Sequence, residues 1–153
     1  MIIKGDELTK IFEDMTESLK DSPVKIQVPP PSFTSMKAKI EEYEKNKRMI
    51  VSLPVEDHQT NPVGVMQGGF IAAAFDNTFG PLSYLVAKRP MTTIDMSVQY
   101  IRGVETGQTV FVETWIVAKG FSTISMAGEM KSAKGKLLAT AITNLLIIKI
   151  PGR

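Results

Sequence analysis

The stretch GGFIAAAFDNTFG, residues 68–80, decides the architecture of this chain. It is apolar on every side of a helix except at Asp76, the only charged residue between Asp57 and Lys88. A helix without a polar face is buried on most sides, so the stretch predicts a central helix over about residues 69–85. Because proline removes a helical hydrogen bond, Pro81 predicts a kink or an early end of this helix.

Alternating apolar residues on both sides of the helix predict strands. One stretch of alternating apolar and polar residues, 48–56, precedes the helix, and four more such stretches follow Pro90. The links between these later stretches are short, which favours antiparallel neighbours. The sequence therefore predicts an α+β fold in which a curved antiparallel sheet is wrapped around a central apolar helix.

The first 45 residues predict a helical extension. Residues 6–20 place apolar side chains at spacings of three and four, as in an amphipathic helix, and Pro29, Pro30 and Pro31 then impose an extended connector. Residues 34–47 predict a second, highly charged helix. We therefore expect an N-terminal helical extension over residues 1–45 and a main domain over residues 46–153.

The composition excludes several classes of function. The 18 basic and 16 acidic residues give a net charge of +2, which is too small to indicate binding to nucleic acid or to an anionic membrane. The absence of cysteine excludes disulfides, a thiol nucleophile and thiolate metal sites. No apolar run has the length of a signal peptide or of a membrane span, so we expect a cytoplasmic protein.

Asp76 and the Gly68-Gly69 pair are the first candidates for chemistry. Burying an unpaired carboxylate is expensive, so Asp76 is either functional or a structural residue, such as the cap of a second helical segment beginning near Thr78. Two glycines at a helix start allow an anion or a polarised carbonyl oxygen to approach the N–H groups there. A plain tight turn would use the same two glycines.

The polar residues of the preceding loop are weaker candidates. His58 is the only histidine in the chain, so a catalytic triad or a histidine metal cluster would depend on it alone. Asn61 before Pro62 is equally typical of a turn, and Gln67 directly precedes the glycine pair. The loop histidine is compatible with simple capping of backbone groups.

Taken together, the run NPVGVMQGG at residues 61–69 and the pair Asp76-Asn77 resemble the hotdog-fold acyl-CoA thioesterases of the phenylacetyl-CoA and hydroxybenzoyl-CoA type. That family has an Asn, a Gly and then His-Gly-Gly at the start of the central helix, with a carboxylate seven residues past the second Gly. The resemblance extends over about residues 46–149. The chain departs from the pattern at Gln67, which replaces the histidine, and at Pro81, where the helix normally continues.

The resemblance implies a mechanism. The Gly68 amide would polarise the thioester carbonyl, and Asp76 of the other subunit would act as nucleophile or general base. Further site residues are then expected to orient water, hold the loop or contact the acyl-CoA: Asn61, Gln67, Thr93, Gly69, His58 and Asn77. The implied assembly is a homodimer or homotetramer, with no metal and no cofactor, since CoA is part of the substrate.

Two other functions fit the same fold. One is a non-catalytic module that binds acyl-CoA or a fatty acyl group, although such a module would not need Asp76 inside an apolar helix. The other is a hotdog acyl-CoA dehydratase. Those enzymes usually depend on a histidine close to the helix start, where this chain has Gln67.

Overall fold

One long helix and a seven-stranded antiparallel sheet dominate the computed structural model, which describes residues 1–149. Two 3₁₀ turns, Gly5–Leu8 and Asp57–Gln59, lie between the main elements. The main elements are β1 (Ile2–Ile3), α1 (Thr9–Leu19), α2 (Pro31–Ser35), β2 (Lys39–Glu44), β3 (Arg48–Pro54), α3 (Gly68–Ala87), β4 (Met91–Tyr100), β5 (Thr109–Lys119), β6 (Thr123–Ser132) and β7 (Leu137–Ile147).

The strand order in the sheet is β1-β2-β3-β5-β6-β7-β4, and every neighbouring pair is antiparallel. The sheet curves around α3, as in hotdog thioesterase folds, and the predicted fold class is confirmed. Strand β4 is the last strand of the sheet, so one of its edges has no strand beside it within residues 1–149. This edge lies at the end of the sheet nearest to Asp76.

The core lies between α3 and the inner face of the sheet. Phe75, Phe79 and Leu82 are fully buried there, and burial of each such side chain contributes about 1.5–3 kcal/mol. Gly128 on β6 allows close packing against β5 at a point where the Phe75 ring of α3 also lies against the sheet. A Cβ added at this glycine would lie 2.9 Å from Glu113 O and 3.4 Å from the ring of Phe75.

Helix α3 begins one residue earlier and ends two residues later than predicted, and it continues through Pro81 to Ala87. The expectation that Gly80-Pro81 would end the helix early is therefore wrong. Pro81 is buried within α3, and the apolar packing of the second half of the helix outweighs the cost of about 3 kcal/mol of an internal proline. The helix ends where Lys88 adopts a left-handed conformation, with φ of 52°.

The first predicted helix of the extension is confirmed as α1, but the second, over residues 34–47, is wrong. Only Pro31–Ser35 is helical, and Lys39–Glu44 forms β2, which pairs with β3. A register shift between Ile40 and Glu42 interrupts the alternation. As a result Ile40 and Tyr43, three residues apart, are both buried, and this spacing resembles that of a helix.

None of the helices within residues 1–149 combines the length and the apolar character needed to cross a membrane.

Candidate active site

The start of α3 presents backbone N–H groups. Gln67 precedes the helix in an extended conformation, with φ of −66° and ψ of 141°. Its carbonyl accepts the N–H groups of Phe70 and Ile71, at 2.9 and 3.2 Å. The amides of Gly68 and Gly69 have no carbonyl partner in the described chain, as expected for the first turn of a helix. They can therefore donate to a carbonyl oxygen that develops negative charge.

Tyr100, the last residue of β4, packs against this helix start. Its hydroxyl donates a hydrogen bond to the Gly68 carbonyl at 3.0 Å. A Cβ added at Gly68 would lie 3.0 Å from the ring carbon Cζ of Tyr100, closer than side-chain carbons normally approach. A side chain at position 68 would therefore require the Tyr100 ring to move by a few tenths of an ångström. Sequence reasoning did not single out this contact between distant parts of the chain.

Asn61 shapes the loop before the helix. Its Oδ1 accepts the N–H groups of Val63 and Val65, at 3.1 and 3.2 Å, which folds residues 61–65 into a turn. The amide nitrogen Nδ2 makes no hydrogen bond within residues 1–149. Asn61, Gly68 and Tyr100 line one cavity of about 350 Å³, which we call the Gly68 cavity.

Arg102 adds positive charge to the Gly68 cavity. Its Nη1 donates a hydrogen bond to the Leu137 carbonyl at 2.7 Å, which holds the guanidinium next to the turn between β6 and β7. Lys134 and Lys136 are exposed in that turn. The sequence offered no signal for Arg102, because the turn that it contacts is 35 residues away.

Asp76 lies in the middle of α3 and is exposed in the single chain, not buried. Its Oδ1 accepts a hydrogen bond from the Thr93 hydroxyl at 3.1 Å, so the structure brings these two predicted site residues together. Because α3 continues past Asp76 without a break, the alternative that Asp76 caps a second helical segment is wrong. Asp76 and Thr93 line another cavity, of about 230 Å³, which we call the Asp76 cavity.

Asn77 faces the N-terminal extension. Its Oδ1 accepts a hydrogen bond from the Ser32 hydroxyl at 2.9 Å, and its Nδ2 donates to the sulfur of Met36 at 3.3 Å. Asn77 is 7% exposed and lies on the wall of the Asp76 cavity. Its two contacts connect the extension to the residue next to Asp76.

The remaining loop residues lie farther from both cavities. His58 is exposed on a 3₁₀ turn, and its ring stands edge-on to Phe70 with 6.1 Å between ring centroids. The Gln67 side chain is exposed and makes no capping hydrogen bond. Gln59, which the sequence did not single out, is fully buried, and its carbonyl accepts the Gln67 N–H at 2.8 Å. The loop is therefore held through the backbone of Gln67.

The two halves of the predicted site are separate in one chain. Asp76 follows Gly68 by eight residues on the same helix, which corresponds to about 12 Å along the axis. A thioester carbonyl within hydrogen-bonding distance of the Gly68 amide is therefore out of reach of Asp76 in the same chain.

Comparisons with known proteins show the family to which the chain belongs. A sequence model of the thioesterase superfamily matches residues 63–139, just over half of the chain. Human acyl-coenzyme A thioesterase 13 is 26% identical over 98 residues, which cover 60% of this chain and 67% of that protein.

Two solved structures share the fold. The Escherichia coli PaaI protein from the phenylacetic acid degradation operon has a TM-score of 0.76 and 13% identity, over 94% of this chain and 97% of that chain. A hypothetical thioesterase protein of Streptococcus pneumoniae, solved with coenzyme A, has a TM-score of 0.69 and 17% identity. That match covers 74% of this chain and 87% of the other.

Proposed function

Because the chain belongs to the thioesterase superfamily, whose members hydrolyse thioesters, we propose that its substrate is an acyl-CoA and that its site combines Gly68 of one subunit with Asp76 of another. The observation that carries this proposal is the carboxylate of Asp76. It is exposed in the middle of an apolar helix and hydrogen bonded to Thr93. A water-accessible carboxylate at such a position suits a nucleophile or general base.

In this mechanism the Gly68 amide donates to the carbonyl oxygen of the thioester. As the carbonyl carbon is attacked, negative charge develops on that oxygen, and a helix N-terminus stabilises it. Asp76 either takes the proton from the attacking water or attacks the carbonyl carbon itself. When water attacks, the C–S bond then breaks, the acid is released, and the proton taken up by Asp76 passes to the CoA sulfur. When Asp76 attacks, the C–S bond breaks to leave a mixed anhydride on Asp76. Water then hydrolyses the anhydride to the free acid, which restores the Asp76 carboxylate, and the proton released from that water goes to the CoA thiolate. Asn61, which lines the same cavity, would orient the thioester or the water through its Nδ2 group.

The CoA phosphates would lie near Arg102. This guanidinium lines the Gly68 cavity and lies beside the turn that carries Lys134 and Lys136. Guanidinium and ammonium groups bind phosphate well. In this orientation the CoA phosphates would lie beside Arg102, Lys134 and Lys136, and the thioester would lie at the start of α3. Substrate contacts by Gly69 and His58 remain predictions.

Two subunits are needed because one chain separates the amide from the carboxylate. The unpaired edge of β4 offers the surface for a second chain, since long exposed strand edges normally pair or are covered. Pairing of β4 with its counterpart around a two-fold axis would also place the two α3 helices side by side in opposite directions. Gly68 of one helix would then approach Asp76 of the other.

An assay of CoA release tests the proposal. Purified protein is mixed with acyl-CoAs and a thiol reagent, and we expect turnover that Asp76→Asn lowers by about 10²–10⁴, the size of a lost acid–base contribution. Asp14→Asn makes the same change on the exposed side of α1 and should leave turnover unchanged.

The outcomes separate the candidate functions. Binding of acyl-CoA without release of thiol would indicate the binding module. Reversible loss of water from a 3-hydroxyacyl-CoA, with no thiol released, would indicate the dehydratase. Full activity of Asp76→Asn would reject the carboxylate mechanism.

A further inference from the structure

The Asp76 cavity extends from Asp76 along α3. Gly80 and Tyr84 line it and follow Asp76 by four and eight residues. They therefore lie on the same face of the helix, one and two turns farther on, and the cavity runs for about 12 Å toward the end of α3. A Cβ added at Gly80 would meet no atom within 4 Å, so this part of the cavity is open space.

The opposite wall comes from the N-terminal extension. Met15 of α1 contributes to it, together with Ile26, Val28 and Pro30 from the connector before α2. Buried side chains of β4 and β7 complete the lining, with Met91 7% and Leu145 2% exposed. The cavity therefore has mainly apolar walls, and it has the carboxylate of Asp76 at one end.

The connector is fixed to the rest of the protein on both sides. Before it, α1 is seated on the core by Ile11 and Met15. After it, Ser32 donates its hydrogen bond to Asn77, and the buried ring of Phe33 stands edge-on to Phe12 at 5.3 Å. Residues 26–30 are thus held as a wall, although they lie outside the residues 63–139 that the family model matches.

The volume limits what the cavity can hold. It is about 230 Å³, whereas an apolar cavity of about 150 Å³ accommodates benzene. One aromatic ring with a short linker fits, and so does an aliphatic chain of moderate length. A long fatty acyl chain exceeds this volume, so part of it would have to lie outside the cavity.

We propose that residues 26–30 and Tyr84 form the end wall of the acyl site and restrict this enzyme to arylacyl-CoA and short or medium-chain acyl-CoA substrates. The inference rests on the proposed function, because it assigns the cavity beside Asp76 to the acyl group. On this proposal the N-terminal extension helps to select the acyl group of the substrate.

A series of acyl-CoAs tests the wall directly. With the full-length protein, we expect kcat/KM to be highest for hexanoyl-CoA or phenylacetyl-CoA and at least about tenfold lower for palmitoyl-CoA, since a single methylene that does not fit a pocket costs that much. Highest activity on palmitoyl-CoA would overturn the inference.

Two substitutions at Ile26 should move the preference in opposite directions. Ile26→Ala opens the wall and should raise the ratio of kcat/KM for dodecanoyl-CoA over hexanoyl-CoA by about tenfold. Ile26→Trp fills the cavity and should lower kcat/KM for phenylacetyl-CoA relative to acetyl-CoA. Val24→Ala is the matched control, because Val24 is in the same connector but 66% exposed and outside the cavity lining.

Each ratio compares kcat/KM for two substrates of the same variant. A general loss of folded protein lowers both values equally and leaves their ratio unchanged. Equal ratios in Ile26→Ala, Val24→Ala and the parent would reject the end wall while leaving the thioesterase function intact. Failure to release thiol from any acyl-CoA would instead reject the proposed function, and this inference with it.

Discussion

At the scale of single residues, the site depends on how the Asp76 carboxylate is held. Thr93 donates one hydrogen bond to Oδ1 from the neighbouring strand. That bond engages one carboxylate oxygen, and Oδ2 has no hydrogen bond within residues 1–149. We therefore propose that Thr93 positions Asp76.

Replacing Thr93 measures this role. Thr93→Val keeps the shape of the side chain and removes the hydroxyl, and we expect kcat to fall by about ten- to a hundredfold, the value of one hydrogen bond to a charged group. Thr93→Ser should restore most of the rate, and KM should change little. Thr92→Val, which changes the neighbouring residue of the same strand, is the control. Equal effects of the two valine substitutions would contradict the role.

Sequence reasoning could single out Asp76 and Gly68, because a lone charge in an apolar helix and a glycine pair at its start are local signals. Thr93 was implied only by the resemblance to the thioesterase family. Sequence reasoning could not single out Tyr100 or Arg102. Both act through contacts with residues more than 30 positions away, and neither stands out in its own segment. Gln59 was missed for a different reason, since a glutamine in a polar loop gives no sign that it is fully buried.

At the scale of elements, Arg48 joins three strands. It donates to Glu44 at 3.0 Å and to Glu113 at 3.1 Å, and it also contacts Glu42. Lys4 and then Arg48 lower the pKa of Glu42 below its ordinary value of 4.5, against an opposing effect of partial burial. The pKa of Glu44 is lowered in the same way, by Lys47 and then by Arg48.

These lowered pKa values predict how stability changes with pH. A carboxyl group whose pKa is lower in the folded protein contributes stability above its unfolded pKa, and the contribution is lost as pH falls through the folded value. Arg48→Met should therefore lower the urea midpoint of unfolding at pH 7. The difference from the parent should shrink below pH 4.5.

Lys39→Met is the control for Arg48. Lys39 is an exposed residue on the same strand pair, and its distance to Glu41 is 3.8 Å, so its loss should have little effect at either pH. A constant difference between parent and Arg48→Met from pH 7 to pH 3 would show that the guanidinium stabilises the sheet by packing alone.

Most elements could be predicted from periodicity. The alternation at residues 48–56 gives β3, whose inward side chains Met49, Val51 and Leu53 are fully buried. The two errors have physical causes. The bulge in β2 gave a strand the spacing of a helix, and packing of α3 overcame the local effect of Pro81. The periodicity of a single sequence does not reveal which strand a segment pairs with, or which side chains pack around a helix.

At the scale of the whole molecule, the proposed function requires a second chain. The Gly68 amide and the Asp76 carboxylate lie on one straight element, about 12 Å apart along its axis, so folding of one chain does not bring them together. Each chain carries both halves, and a two-fold assembly makes two equivalent sites from them. On this proposal an assembly of two chains is catalytically active, whereas a single chain is not.

Mixed assemblies test that claim most directly. Asp76→Asn and Gly68→Val are each expected to be nearly inactive, the second because its side chain meets Tyr100 and displaces the amide, with a loss of about 10²–10³. The two variants are co-expressed with different tags, and the doubly tagged species is purified.

A mixed dimer of these variants has one site built from an intact Gly68 and an intact Asp76, while both defects fall in the other site. We predict about half of the parent kcat per mole of mixed dimer, with unchanged KM, because one of two equivalent sites is restored. A mixed dimer that is as inactive as either variant alone would contradict a site shared between two chains.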